Sequence, residues 1–274
     1  MPARLSATIV TYRTEPRMLA AALASLAAAV HEARRAGELS RFSGFVVDNG
    51  PEAQREAIAR ALEAWDPDAG TVELVCGQGN VGYGRANNLV LPKLDSDLHL
   101  VMNPDVELAR DALARAMASL RAHPEVGMAA PAAFGDDGAR QYLCKRYPSL
   151  WVLFLRGFAP ARLRRRFAAA LDHYEMRDAI GERFHCGVPL ASGCFMLVRT
   201  EIFRRLGGFD PRFFMYFEDY DLSLRVGRIA PVAYVPEARI VHHGGEAARK
   251  GWRHVLWFAR SAWRFFSLHG WKAI

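Results

Sequence analysis

The sequence predicts an α/β fold: a mixed, mostly parallel central sheet flanked by helices, followed by a C-terminal amphipathic helical segment. Short β-type runs alternate with helical runs through the first half of the chain, the mark of repeated β-α-β units. Polar turns directly follow three of the strand runs, and ligands of such sheets sit outside the carboxyl ends of the strands. The last stretch interleaves Trp and Phe with Arg at helical spacing.

Taken in order, Ala7–Tyr12 reads as a strand, and Pro16 opens a helix running to about Ala36. Phe45–Val47 is a short buried strand that ends in the turn signal Asp48-Asn49-Gly50. A helix over Glu52–Ala64, a strand over Val72–Val75 and a helix over Gly82–Lys93 follow. Leu98–Met102 is then a strand and Arg110–Ala122 a helix. Phe134–Pro189 has no clean period beyond a helix-like stretch at Leu163–Ala170. Order returns with a strand from Leu190 to Val198 and a helix after Thr200. The turns at Thr11-Tyr12-Arg13, Asp48-Asn49-Gly50 and Asn103-Pro104-Asp105 should therefore open onto one crevice.

With 51% hydrophobic and 24% charged residues in 274, the chain has the composition of a folded domain rather than a disordered one. A net charge of +7 points to an anionic partner: nucleic acid, a phosphorylated substrate or a membrane surface. Basic residues cluster at Arg162, Arg164, Arg165 and Arg166, and again at Arg249, Lys250, Arg253, Arg260 and Arg264, although such runs are commonly solvated faces. The four cysteines (Cys76, Cys144, Cys186, Cys194) lie far apart with no CxxC pair. That pattern argues against a zinc module and a disulfide scaffold and suits a reducing cytosol. Met1–Val10 does not read as a signal peptide, and no apolar run reaches the roughly 20 residues that span a bilayer.

Three segments carry chemistry. Asn103-Pro104-Asp105 follows a buried strand and would present a carboxylate to a divalent cation, although alone it reads equally as a turn and helix cap. Phe213 to Leu222 puts Glu218, Asp219 and Asp221 behind an aromatic run. Like charges so close repel, and a carboxylate held at a helix start beside a crevice suits a general base for an alcohol. His242-His243 ends a strand, where a neutral imidazole would complete a metal site begun by Asp105. Gly244-Gly245 would let a loop close over the ligand. The Gly-rich run Gly77–Arg85 lacks G-x-G-x-x-G spacing from the first strand and an acidic ribose partner, which argues against a dinucleotide site. A helix N-terminus near a diphosphate remains consistent with it.

In this order the segments Ile9–Tyr12, Val47–Asn49, Asn80–Asn88, Met102–Val106, Gly208–Asp210, Phe214–Leu222 and His242-His243 resemble the family 2 inverting glycosyltransferases of GT-A fold, which is Rossmann-like. The closest likeness is to bacterial rhamnosyltransferases that use dTDP-L-rhamnose. The resemblance covers nearly the whole chain and is weakest over Phe134–Pro189. It implies a catalytic domain over 1–245, with a nucleotide-binding half at about 1–130 and an acceptor half at about 131–245, and a basic aromatic helix over 246–274.

Donor contacts are then expected at Thr11, Tyr12, Asp48, Asn80, Gly82, Arg85, Asn88 and Asn103. The resemblance implies Asp105 as the carboxylate for Mg²⁺ or Mn²⁺, with His242 the better histidine ligand and His243 the second. It implies Asp219 as catalytic base, with Glu218 as its neighbour and lesser substitute. The implied partners are a nucleotide-sugar donor and a glycan or polyprenyl-linked acceptor, with no nucleic acid. UDP-galactofuranose and UDP-glucose stay open as donors. A non-catalytic binding module is opposed by the carboxylates aimed at the crevice, which repel phosphates without a metal. For the C-terminal aromatic–arginine stretch three readings stay open: a membrane interface, packing against the catalytic domain, or a homodimer contact. With a lipid-linked acceptor the expected location is the cytoplasm, at the inner face of the membrane.

Overall fold

The computed structural model describes residues 1–244 and 252–274, without the side chain of Arg253. Gly245, Arg249, Lys250 and that side chain, expected in a closing loop and a basic cluster, lie outside the described residues. So does the expected boundary between 245 and 246.

Strand β1 (Ala3–Thr11) leads through α1 (Pro16–Arg35) to β2 (Leu39–Asp48), then α2 (Arg55–Ala61), β3 (Thr71–Val75), α3 (Tyr83–Asn88) and β4 (Leu98–Met102). Next come β5 (Val106–Leu108), α4 (Ala112–Ala122), β6 (Met128–Phe134), β7 (Arg140–Gln141) and β8 (Cys144–Lys145). The middle of the chain folds as α5 (Leu150–Gly157), α6 (Ala161–Arg166), α7 (Ala168–Tyr174), β9 (His185–Cys186) and β10 (Leu190–Ala191). The remainder is β11 (Phe195–Arg199), α8 (Thr200–Arg205), α9 (Glu218–Gly227), β12 (Val232–His242) and α10 (Trp252–His269).

The main sheet runs β3-β2-β1-β4-β11-β6-β12-β5. Strands β3, β2, β1 and β4 pair in parallel, β11 sits antiparallel between β4 and β6, and β12 pairs in parallel with β6 and antiparallel with β5. This is the mixed, mostly parallel sheet the sequence predicts. Because β11 and β5 run backwards, their first residues reach the same edge as the last residues of β1, β2, β4 and β12. That edge is where the polar turns gather.

Alternate strand residues feed two layers, as the two-residue period requires. Leu5, Ala7 and Ile9 of β1 pack toward α1 and α4, with Leu100 and Leu197. Val10, Val101, Met196 and Val198 pack toward α3, α8 and α9, against Ala86, Phe203, Leu222 and Val226. Inside the sheet His99 lies between Ser6 (2.7 Å to Nδ1) and Thr8 (3.3 Å to Nε2), stacked on Phe203. Burial lowers its pKa to about 3, so it stays neutral. A third cluster joins Leu153 of α5, Phe213 and Phe217 before α9, and Ala262, Phe265 and Phe266 of α10.

Several elements differ from expectation for local reasons. Strand β2 starts at Leu39 rather than Phe45, since pairing with β1 carries it through the exposed Ser40 and Arg41, where no apolar run marks it. The helix expected over Glu52–Ala64 is α2 between two 3-10 turns. It stops where Trp65 turns to extended backbone and donates its indole N–H to Gly70 O at 2.8 Å. Helix α3 ends at Asn88, ahead of Pro92, which has no N–H to continue it. The strand expected over Leu190–Val198 is two strands, broken at Ser192-Gly193, and the break belongs to the site.

Candidate functional site

Thr11 and Asp48 end neighbouring parallel strands in register. The Thr11 hydroxyl donates to Asp48 Oδ1 at 2.9 Å, and the Gly50 N–H donates to the same oxygen at 2.9 Å. Both residues are buried, at 0% and 4% exposed, so the carboxylate is fixed in direction at the strand edge. Gln78 Nε2 donates to Asp48 O (2.8 Å), and Asn49 Nδ2 donates to Gly82 O (3.2 Å). These bonds stitch the Gly-rich loop over the end of β2. Tyr12 is exposed beside Arg13, whose backbone is left-handed (φ 52°).

Other expected donor residues have structural partners. Asn80 Oδ1 accepts from Gly82 N at 3.1 Å. Gly82 has φ 91°, and a Cβ there would lie 2.4 Å from Phe214 O, so this position needs glycine to let the loop pack on the segment before α9. Both amide atoms of Asn88 engage the Phe209 backbone, Nδ2 donating to Phe209 O (2.7 Å) and Oδ1 accepting from Phe209 N (2.9 Å). Arg85 donates through Nε to Pro211 O at 2.6 Å. Asn88 and Arg85 are therefore not brought to the strand-edge crevice: α3 is one short helix whose far side faces the 207–214 segment.

Asn103 follows β4, and its N–H donates to Cys194 O at 2.9 Å. Two residues on, Asp105 Oδ1 is buried with no hydrogen-bond partner among the described residues. His242 Nε2 lies 3.8 Å from that oxygen. Gln141 Oε1, a pure acceptor, is 2.7 Å from His242 Nδ1, so Nδ1 carries the proton and Nε2 turns a lone pair toward Asp105. Burial lowers the His242 pKa against the opposing pull of Asp105, keeping the ring neutral.

His243 is different. Its two nitrogens face Asp136 and Glu107, with 2.9 Å between Nε2 and Glu107 Oε1. Burial opposes protonation, but the two carboxylates outweigh it and raise the pKa. Both ring nitrogens of His243 thus already face carboxylates, and its backbone N–H donates to Asp105 O at 2.9 Å and braces the loop.

The orphaned Asp105 oxygen and the neutral His242 nitrogen fit a hard divalent cation. No set of three His, Cys, Asp or Glu side chains able to hold a metal occurs among the described residues. The remaining coordination would come from substrate phosphates and water, as Mg²⁺ commonly takes it.

The carboxylates of α9 occupy distinct environments. Asp219 Oδ2 accepts the Gly193 N–H at 3.0 Å, and Oδ1 accepts the Tyr220 N–H at 2.9 Å. Glu218 is 6% exposed, and its Oε2 has no partner among the described residues. Burial raises both acids; at Glu218, pushed up to about 8, the neighbouring Asp219 adds to the rise, and at Asp219 the backbone donors oppose it. Glu218 therefore keeps its proton at neutral pH, and the Gly193 and Tyr220 N–H groups favour the charged form of Asp219. Asp221 faces elsewhere, paired with Arg225 (2.7 Å) and His269 (2.8 Å), and ties α10 to α9.

Tyr216 and Phe217, just before the carboxylates, have φ 70° and 65°. Two consecutive non-glycine residues in that region store strain that surrounding packing must hold. Phe217 packs on Phe258, Phe265 and Tyr220, and the Tyr216 hydroxyl bonds His254 Nδ1 at 2.8 Å. Of the C-terminal stretch's open readings, packing against the rest of the fold is thus observed for one face of α10. Sequence reasoning left that packing open among three readings, and it assigned no role to Gly193, Tyr83, Gln78 or Gln141. Tyr83 donates its hydroxyl to Gly193 O at 2.7 Å. The break at Ser192-Gly193 in an apolar run was the one signal available.

The family model described as Glycosyl transferase family 2 matches residues 6–207. Over 189 residues the chain is 31% identical to the N-acetylglucosaminyl-diphospho-decaprenol L-rhamnosyltransferase of Mycobacterium tuberculosis, covering 63% of this chain and 59% of that protein's length. It is 26% identical over 204 residues to rhamnosyltransferase WbbL of Escherichia coli, covering 69% and 71%. Among solved structures, mannosyltransferase PcManGT of Pyrobaculum calidifontis, in complex with GDP-Man and Mn²⁺, superposes with a TM-score of 0.61 at 20% identity, over 96% of this chain and 65% of that one. GalNAc-T7 with UDP, GalNAc and Mn²⁺ gives 0.61 at 15% identity, over 91% and 45%. The fold is that of these GT-A proteins.

Proposed function

The chain belongs to glycosyl transferase family 2, and from that premise we propose that it moves L-rhamnose from dTDP-L-rhamnose to a hydroxyl of a glycan or polyprenyl-linked glycan, with inversion. The observation that carries this is a continuous backbone link between two chemistries. Gly193 holds Asp219, and its neighbour Cys194 holds the loop that bears Asp105. The names of the two rhamnosyltransferase relatives support the sugar, and the printed name of the mycobacterial one supports a lipid-linked acceptor.

In this reading Thr11, Asp48 and the Gly-rich loop bind the nucleoside end of the donor. Asp105 and His242 would hold Mg²⁺ or Mn²⁺, which when bound supplies positive charge against the leaving diphosphate. Asp219 takes the proton from the acceptor hydroxyl as that oxygen attacks the anomeric carbon from the opposite face. The Gly193 and Tyr220 N–H groups favour the charged form of Asp219 and aim it. Glu218, protonated, keeps a second negative charge away from the donor phosphates. One displacement inverts the centre without a covalent enzyme intermediate. Among the described residues no helix is long and apolar enough to cross a membrane. In our reading the outer face of α10 meets the inner membrane surface at its interface.

A thermal-shift screen of dTDP, UDP and GDP, each with and without Mn²⁺, tests the donor. Stabilisation by dTDP above the others and only with metal is expected. Preference for UDP replaces the donor with a UDP-sugar, and no response to any nucleotide refutes the transferase reading.

A further inference from the structure

Away from the crevice, a second cavity of about 270 Å³ opens between α3, the 209–214 segment and α10. Its walls are Arg85, Arg212, Arg260 and Arg264, with Phe214 and Trp257 beside them, ring centroids 4.9 Å apart. Arg212 is neutralised by Asp210. Arg85 donates only to a backbone carbonyl, and Arg260 and Arg264 face no carboxylate among the described residues. Three uncompensated guanidiniums around one small cavity repel each other unless an anion joins them, and the planar fork of arginine matches phosphate oxygens in pairs.

The cavity is joined to the site. Phe214 O accepts the Tyr83 N–H at 3.1 Å, and Ser261 of α10 donates to Met215 O at 2.8 Å. The segment from Phe214 to Asp219 thus carries the cavity wall at one end and the base at the other. On its outer side α10 turns Trp252 (71% exposed), Leu256 and Trp263 (68% exposed) to solvent. Helical spacing puts these three on one face with Arg260 and Arg264 along its border. Phe154 of α5 and Phe158 just after it are also exposed. Helix α5 is anchored to the chain end by Leu150 N–H to Lys272 O (2.9 Å). Arginines gathered in a pocket beside an apolar face fit one molecule with an anionic head and a long apolar tail better than a spread of membrane headgroups.

We propose that this pocket binds the diphosphate of a polyprenyl-diphosphate acceptor, its chain lying along the exposed face of α10. This rests on the reading of the acceptor as lipid-linked. The test is titration of the full chain with farnesyl diphosphate in EDTA, which removes metal from the Asp105–His242 pair, followed by tryptophan fluorescence. The wild type should bind it, farnesol should not bind, and Arg260→Ala/Arg264→Ala should bind farnesyl diphosphate about tenfold or more weakly. Stabilisation of that variant by dTDP and Mn²⁺ should be unchanged. Equal binding by the double variant, or equal binding of farnesol, overturns the proposal. So does loss of binding to phosphatidylglycerol vesicles with farnesyl diphosphate affinity intact, which assigns the arginines to membrane headgroups. If dTDP with Mn²⁺ fails to stabilise the wild type, the donor reading falls while the farnesyl diphosphate titration still decides the pocket.

Discussion

The Gly193 N–H donates to Asp219 Oδ2 at 3.0 Å across 26 residues of chain. A Cβ on Gly193 would lie 3.2 Å from the Asp219 Cβ, so strand break and helix start touch at this point. The bond both directs the carboxylate and stabilises its charge. Asp219→Asn keeps shape but loses the proton acceptor. Its kcat should fall by about 10²–10⁴-fold, the usual weight of a general base, with Tm and nucleotide stabilisation unchanged. Turnover within tenfold of wild type in a sugar-transfer assay would remove Asp219 from the role.

Asp105 and His242 are separated from His243 by their free acceptor atoms. Asp105→Ala and His242→Ala should each abolish the Mn²⁺-dependent part of the thermal shift with dTDP. His243→Ala should retain it, because both nitrogens of that ring already face Asp136 and Glu107. Retention in His242→Ala together with loss in His243→Ala would reverse the assignment.

Glu218 makes stability depend on pH. Its carboxyl is raised from 4.5 to about 8 by burial, with Asp219 adding. Between those values the folded chain holds a proton that the unfolded chain releases, so stability falls as pH rises through the window. Glu218→Gln is neutral throughout and lacks that slope. Melting temperatures from pH 5 to 8.5 should show the variant gaining on the wild type as pH rises; parallel curves would mean Glu218 titrates normally.

The mostly parallel sheet and the gathering of polar turns at one edge were legible in the sequence because the β-α-β rhythm and the polar turns after Thr11, Asp48 and Met102 are local signals. Asp105 and Asp219 stood out for the same reason. What escaped was set by tertiary contact. Gln141 has no local pattern, yet it fixes the His242 tautomer. Asn88 sits in a conspicuous run, but its amide answers to Phe209. The left-handed pair Tyr216-Phe217 cannot be read from propensity, since aromatic residues disfavour that region; here the pair lies against Phe258 and Phe265 of α10.

That packing gives the last prediction. Phe265 is fully buried and meets Phe217 at 5.2 Å and Tyr147 at 5.4 Å between ring centroids. Phe265→Ala should cost about 3–5 kcal/mol of stability, as large-to-small core changes do. It should also lower kcat well below the melting transition, because Phe217 loses the ring that holds its strained backbone and Asp219 follows two residues later. Stabilisation by dTDP and Mn²⁺ should persist, since Asp105 and His242 hang on other strands. If kcat at low temperature matches wild type while Tm drops, the turn holds itself and α10 contributes stability alone. If kcat falls with donor stabilisation intact, the C-terminal helix positions the base.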